Sequence, residues 1–158
     1  MNAIKLLEDD HATVKRLLAE LESTTERGIK TRQELFPRLE TELTVHEVIE
    51  EEIFYPALKA HPKAREIVLE GIEEHNVVDT LMGELRDLPV TDETWGAKFK
   101  VMMENIEHHI EEEEGEMFPK ARAVFDKSEL AELGAQMAER KVSALAAFGR
   151  QAIATPSR

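Results

Sequence analysis

One eleven-residue segment occurs twice in this chain, as HEVIEEEIFYP at residues 46–56 and as HIEEEEGEMFP at residues 109–119. Each copy sets a His four residues ahead of a Glu, and each ends in an aromatic residue followed by Pro. In an α-helix this spacing brings the imidazole and the carboxylate to one face, about one turn apart. Two such pairs on two helices supply what a pair of metal ions needs, because a carboxylate can bridge the ions while imidazoles complete each coordination sphere. The repeat therefore predicts a two-iron site inside a helical bundle.

The composition limits the partners and the ligand chemistry. The 158-residue chain is long enough for one domain with a continuous core, and its 33 Asp and Glu outnumber its 20 Lys and Arg to give a formal net charge of −13. Such a charge argues against nucleic acid or an anionic membrane surface as a partner. Cys is absent, which leaves His and carboxylate side chains as the metal ligands. Charged residues interrupt every short apolar run near the N-terminus, so we expect neither a signal peptide nor a membrane span, and a cytoplasmic location.

Apolar residues recur at three- and four-residue steps along five segments, which predicts five amphipathic helices and no strand. These helices are expected at about residues 3–25, 35–60, 63–87, 93–114 or a little beyond, and 128–148. Ser128 is predicted to cap the fifth helix, and Gly115 to weaken the end of the fourth. The predicted class is all-α: an up-down-up-down four-helix bundle over residues 1–125, an additional C-terminal helix packed on it over 126–150, and a frayed tail at 151–158.

The first three helices each direct ionisable side chains into the core. Counting about 100° per residue places His11, His46, Glu50 and His75 near the centres of their apolar faces. By the same count Tyr55 faces away from His46, and we expect it to meet solvent or the fifth helix rather than to act as a ligand.

The fourth helix offers two registers of the same motif, His108 with Glu112 and His109 with Glu113. The alignment of the two repeats selects the second pair, and so does the helical direction, because Glu113 lies within about 30° of the apolar face while His108 points almost opposite to it. The acidic run from Glu111 to Glu116 is interpreted as a solvated helix face, with Glu113 alone directed inward.

Six polar groups thus enter the core of a four-helix bundle. A single core His is more often hydrogen-bonded to a neighbour than bound to a metal. Left without partners, however, each buried imidazole costs roughly 1–3 kcal/mol and a lone carboxylate more. Metal ions that bind the whole set are the simplest solution.

The ordered pattern His, His-x-x-x-Glu, His, His-x-x-x-Glu over four helices resembles the hemerythrin-like family, and the resemblance covers about residues 1–125. It implies a non-haem di-iron centre with an oxo or hydroxo bridge and bridging carboxylates from Glu50 and Glu113. Its terminal ligands would be His11, His46, His75 and His109. The fifth helix and the absence of Cys look like the short bacterial members, some of which handle peroxide.

Two departures from the oxygen-carrying members are informative. Asp79 stands where their third helix has a second His, and Glu113 stands where they have Asp, so the ligand set is one imidazole short. Asp79, Glu47 or a water could complete the coordination, or a position could stay open to an exogenous ligand, which favours reaction over storage of dioxygen.

The functional expectation is a di-iron protein that reacts with dioxygen or hydrogen peroxide, with catalase-like disproportionation as the enzymatic version. Reversible binding or sensing of dioxygen or nitric oxide is the alternative from another class, and iron storage or buffering is a third. The same ligands would also accept zinc or manganese. The sequence does not predict the oligomeric state.

Overall fold

The computed structural model describes the backbone of residues 1–154 and the side chains of residues 1–148. All regular structure in this part of the chain is helical, which confirms the predicted all-α class. The α-helices are α1 (Ala3–Glu22), α2 (Ile29–Ile49), α3 (Tyr55–Lys59), α4 (Arg65–Asp87), α5 (Trp95–Glu112), α6 (Phe118–Val124) and α7 (Lys127–Ala154), and Pro62–Ala64 forms a 3₁₀ turn.

Two π-helical turns interrupt the helices at the same place in the sequence repeat. The first, Glu50–Phe54, joins α2 to α3, and the second, Glu113–Met117, joins α5 to α6. In a regular α-helix a proline ring collides with the carbonyl four residues earlier, and Pro56 and Pro119 each follow a π turn closely. The wider turn relieves this collision and lets the helix continue. The fourth predicted helix therefore does not end near residue 114 but continues to Val124.

Four antiparallel rods make the bundle, as predicted. They are α1, the second rod formed by α2 and α3, then α4, and the fourth rod formed by α5 and α6. Neighbouring rods in the chain pack on each other, and α1 closes the bundle by packing on α5. The C-terminal helix α7 lies against α1, α2 and the first π turn.

The N-terminus of α7 is capped differently from the prediction. The Asp126 carboxylate accepts from the Glu129 N–H at 2.8 Å while the Glu129 carboxylate accepts from the Asp126 N–H at 3.1 Å, a reciprocal capping box. Asp126, rather than Ser128, thus caps the helix. At its C-terminal end α7 includes residues 151–154, and the remainder of the expected tail, 155–158, lies outside the described residues.

Apolar side chains form two clusters at different heights in the bundle. One contains Leu7, Ile49 and Met117, and the other contains Val14 and Ile106. Burying each such side chain contributes roughly 1.5–3 kcal/mol. The polar residues of the sequence motif lie between the two clusters. None of the helices within residues 1–154 is long and apolar enough to cross a membrane.

Candidate metal centre

The structure brings all six residues of the motif together in the middle of the bundle. Two sets of donor atoms are close enough to hold a metal ion each: His11, His46, Glu50 and Glu113 form one, and Glu50, His75 and His109 form the other. We call the first set position A and the second position B. Glu50 belongs to both, which is the arrangement that a bridging carboxylate requires.

The imidazoles turn their Nε2 atoms toward the two carboxylates. Glu50 Oε1 lies 3.2 Å from His46 Nε2 and 3.1 Å from His75 Nε2. Glu113 Oε1 lies 2.9 Å from His11 Nε2, and Glu113 Oε2 lies 3.5 Å from His109 Nε2. The two glutamates thus each face one imidazole from each position.

Glu50 is the group that most clearly requires a cation. Its side chain is 0% exposed, and neither of its carboxylate oxygens accepts a hydrogen bond in the described part of the chain. His46 Nε2 is likewise without a hydrogen bond, since its 3.2 Å approach to Glu50 is close enough for charge attraction but not aligned for donation. A buried carboxylate without donors costs several kcal/mol unless a cation compensates it. The donor set of imidazoles and carboxylates therefore fits a pair of metal cations.

The fourth rod adopts the predicted register. His109 is buried, whereas the neighbouring His108 side chain is 65% exposed and pairs loosely with Glu112 at 3.5 Å. The helical direction separated these two adjacent histidines correctly because α5 is regular up to Glu112.

Each of the four core imidazoles also donates a hydrogen bond from Nδ1, the ring nitrogen that faces away from the two glutamates. The acceptors are four carboxylates that were not predicted to belong to the site. The Nδ1–H groups of His11, His46, His75 and His109 donate to Glu114 at 2.7 Å, Asp10 at 2.9 Å, Glu51 at 2.8 Å and Glu74 at 2.7 Å, respectively. We call these four acceptors the outer carboxylates. They fix each ring and leave Nε2 as the metal-facing atom.

The sequence did contain a signal for the outer carboxylates. Asp10 and Glu74 directly precede a core His, while Glu51 and Glu114 directly follow a core Glu. The interpretation of the acidic run as a solvated face was incomplete for Glu114, because its partly exposed carboxylate also accepts a hydrogen bond from His11.

In the metal-free protein the carboxylates also raise the proton affinity of three of the core imidazoles, those of His46, His75 and His109. Burial alone would lower the pKa of His75, but the Glu50 carboxylate 3.1 Å from its Nε2 and the hydrogen bond from its Nδ1 to Glu51 raise that pKa to about 9. Burial is likewise outweighed by carboxylates at His46 and His109, whose pKa values lie well above the usual range. Metal binding must therefore displace protons from these rings.

Glu47 and Asp79, the two further candidates for completing the coordination, lie at the edge of position B. Glu47 is buried, and burial together with its hydrogen bond to Asp79 raises its pKa to about 9, although the charge on His75 lowers it. Its nearest potential co-ligands are Glu51 and His75. Asp79 is exposed and takes part in none of the donor clusters found in the described residues.

Tyr55 points into the centre, so the prediction that it faces solvent or the fifth helix was wrong. Its side chain is 1% exposed, and its hydroxyl donates to Glu113 Oε2 at 2.5 Å while lying 3.5 Å from His75 Nε2 and 3.4 Å from His109 Nε2. A π turn contains one more residue than an α turn, so Tyr55 lies at about 80° from His46 instead of about 180°.

The corresponding residue of the second repeat is Phe118, and it marks the difference between the two positions. The Phe118 ring stacks on His11 at 5.8 Å, just as the Tyr55 ring stacks on His75 at 5.4 Å. A hydroxyl oxygen thus lies beside the two imidazoles of position B, whereas Phe118, which stacks on His11 of position A, has none.

A cavity of about 20 Å³ adjoins the centre. This is little more than the space that one water molecule needs. It is lined by the four core imidazoles and Glu47, and otherwise by Val14, Leu43, Val78, Ile106 and Ile110. A ligand in this cavity would meet histidines and aliphatic side chains.

Known proteins resemble this chain in both sequence and structure. Residues 2–121 match the family described as Hemerythrin HHE cation binding domain. Uncharacterized proteins of Mycobacterium tuberculosis and Mycobacterium bovis are each 34% identical over 144 residues, which is 89% of this chain and 85% of theirs. The crystal structure of a hemerythrin HHE cation binding domain-containing protein from Mycobacterium kansasii superposes with a TM-score of 0.83 at 28% identity, covering 93% of this chain and 89% of that one. The resemblance drawn from the motif is thus confirmed: this chain belongs to the hemerythrin HHE cation-binding domain family.

Proposed function

We propose that the centre holds two iron ions and reacts with hydrogen peroxide or dioxygen. The observation that carries this proposal is the buried Glu50 carboxylate, which lacks a hydrogen-bond donor and lies about equally far from His46 Nε2 and His75 Nε2. A carboxylate so placed suits a bridge between two cations rather than an ion pair with one side chain.

Each position has its own imidazoles, and the glutamates are shared. His11 and His46 would bind the ion at position A, and His75 and His109 the ion at position B. Tyr55 would add an oxygen at position B, where the sequence analysis found the ligand set one imidazole short. Because Phe118 offers no such oxygen at position A, that position is the one expected to accept an exogenous ligand.

The bound irons would supply redox chemistry by cycling between the ferrous and ferric states. The protein would select the ligand by size and keep the bound irons apart from solvent. The cavity of about 20 Å³ has room for a molecule of a few atoms, and the five aliphatic side chains of its lining would leave little space for further water. In catalase-like disproportionation, one hydrogen peroxide is oxidised to dioxygen and gives two electrons and two protons to a second, which is reduced to two waters. No other reductant is consumed.

The small cavity also bears on the alternatives. Storage of iron as a mineral requires an interior far larger than about 20 Å³. Reversible binding of dioxygen or nitric oxide requires only the same cavity, so it is the second candidate. Unlike peroxide disproportionation, it would release the ligand unchanged.

Iron analysis and oxygen evolution test the proposal together. We expect two irons per chain and dioxygen release from hydrogen peroxide faster than from an equal concentration of free iron. His109→Ala should lose the iron of position B and the oxygen evolution. The exposed neighbour His108 provides the matched control, and His108→Ala should keep both irons and the activity.

Three results would contradict the proposal in separable ways. Zinc or manganese in place of iron would contradict the metal assignment. Two irons without oxygen evolution, but with an optical spectrum that reverses on degassing, would favour reversible binding. Equal loss of iron in His108→Ala and His109→Ala would contradict the site itself.

A further inference from the structure

The C-terminal helix reaches the candidate centre through one lysine. Lys141 on α7 forms an ion pair with Asp10 Oδ1, and the other oxygen of the same carboxylate, Oδ2, accepts from His46 Nδ1 at 2.9 Å. A continuous chain of polar contacts therefore runs from α7 to an imidazole of position A.

Asp10 differs from the other outer carboxylates in its surroundings. Its side chain is 5% exposed, whereas Glu51, Glu74 and Glu114 are 42%, 24% and 34% exposed. Within the described side chains, Asp10 is also the one outer carboxylate with a Lys or Arg partner. Water can solvate the other three in part, but Asp10 needs a cation from the protein.

We propose that Lys141 is a positioning residue of the metal centre, acting through Asp10 on the orientation and basicity of His46. The inference rests on the proposed metal binding and adds a role for α7. A carboxylate that accepts from a ligand imidazole makes the imidazole a stronger donor to the metal, and a cation on its other oxygen moderates this effect while fixing the side chain. The contact through Lys141 and Asp10 would then act on position A, whose ligand His46 it reaches, and on no imidazole of position B.

The neighbouring residue provides a matched control. Arg140 also joins α7 to the bundle, by hydrogen bonds to the exposed Glu52 of the first π turn at 3.0 and 3.3 Å. Arg140→Met removes a cation and a contact of α7 without touching Asp10. Lys141→Met removes the charge at Asp10 with little loss of volume, and Lys141→Arg restores the charge.

The experiment titrates the full-length chain, freed of metal by chelation, with Co²⁺, whose optical absorption reports the ligand field. Direct loss of an outer-shell partner typically weakens metal binding about 10- to 100-fold, so we expect Lys141→Met, one contact further out, to raise the Kd of one of the two ions roughly three- to tenfold. The optical absorption of the Co²⁺ ion that binds more weakly should also shift in Lys141→Met. Lys141→Arg and Arg140→Met should stay within about twofold of the wild type.

Unfolding of the metal-free variants in urea separates positioning from stability. A merely structural role predicts equal destabilisation by Lys141→Met and Arg140→Met and no selective change in Kd, and that result would overturn the inference. So would an unchanged Kd and absorption in Lys141→Met while the wild type binds two ions. Failure of the wild-type protein itself to bind Co²⁺ would instead contradict the proposed metal site.

Discussion

Replacing Tyr55 by Phe removes one oxygen atom from the centre and keeps the aromatic ring. The ring stacks on His75 at 5.4 Å, so the packing should survive, while the 2.5 Å hydrogen bond to Glu113 is lost. Burial, followed by the charge on Glu113, raises the pKa of Tyr55 well above its usual value, so the hydroxyl remains a donor in the metal-free protein.

The magnitude follows from the partner. A hydrogen bond to a charged group contributes about 1.5–3 kcal/mol, and the replaced oxygen leaves Glu113 Oε2 with only His109 Nε2, 3.5 Å away. For a domain of this size each kcal/mol corresponds to roughly 2–4 °C, so the Tm of the metal-free protein should fall by about 3–12 °C.

Equilibrium unfolding in urea, followed by circular dichroism, measures the effect in the metal-free state. Lys98→Gln, which removes an exposed ion pair with Glu84 at 3.2 Å, is the comparison and should cost less than about 1 kcal/mol. If Tyr55→Phe unfolds with the same free energy as the wild type, the hydroxyl does not bond to Glu113 in solution and its assignment to position B loses its basis.

Further predictions concern metal removal and two close helix contacts. Chelation should lower the Tm by about 15–30 °C, since each ion contributes about 4 kcal/mol at 1,000 times its Kd; calorimetry with and without chelator measures this. In Gly71→Ala the new Cβ would lie 3.0 Å from the Tyr55 hydroxyl, so in urea unfolding it should be about 1–3 kcal/mol less stable than Gly83→Ala, made at an open site on the same helix. Gly134→Ala would place a Cβ 2.3 Å from the Met1 carbonyl oxygen, and it should destabilise the packing of α7 on α1 more than either, as measured by protease susceptibility of the chain termini.

The helical pattern and the inward direction of the six motif residues could be predicted because they depend on regular geometry. His46 and His109 lie on α-helices that stay regular up to the following residues 49 and 112, so a count of 100° per residue finds their directions. Within and beyond the π turns, which begin at Glu50 and Glu113, a count of about 100° per residue no longer gives the direction of a side chain. Tyr55 was misplaced because the sequence gives no direct sign of the extra residue in the π turn.

The outer carboxylates were missed for a different reason. Glu51 follows Glu50 by one residue and is therefore rotated by about 100° away from the core on its own helix. Its contact with His75 depends on how α4 packs beside the first π turn, which is a property of two elements together. The periodicity of the sequence describes one helix at a time, so it cannot predict a contact between side chains of two helices.

The two π turns have a consequence for how such sequences are compared and how they change. A π turn contains one residue more than the α turn that it replaces, so a gap-free alignment of this chain with a protein that has a regular helix here would be shifted by one position from Tyr55 or Phe118 onward. Conversely, deleting a single codon within residues 51–54 would rewind the turn and rotate everything after it by about 100°. Single-residue insertions and deletions, which most helices tolerate poorly, thus become a simple evolutionary route for adding or removing an oxygen donor at a centre that otherwise keeps all six of its motif residues.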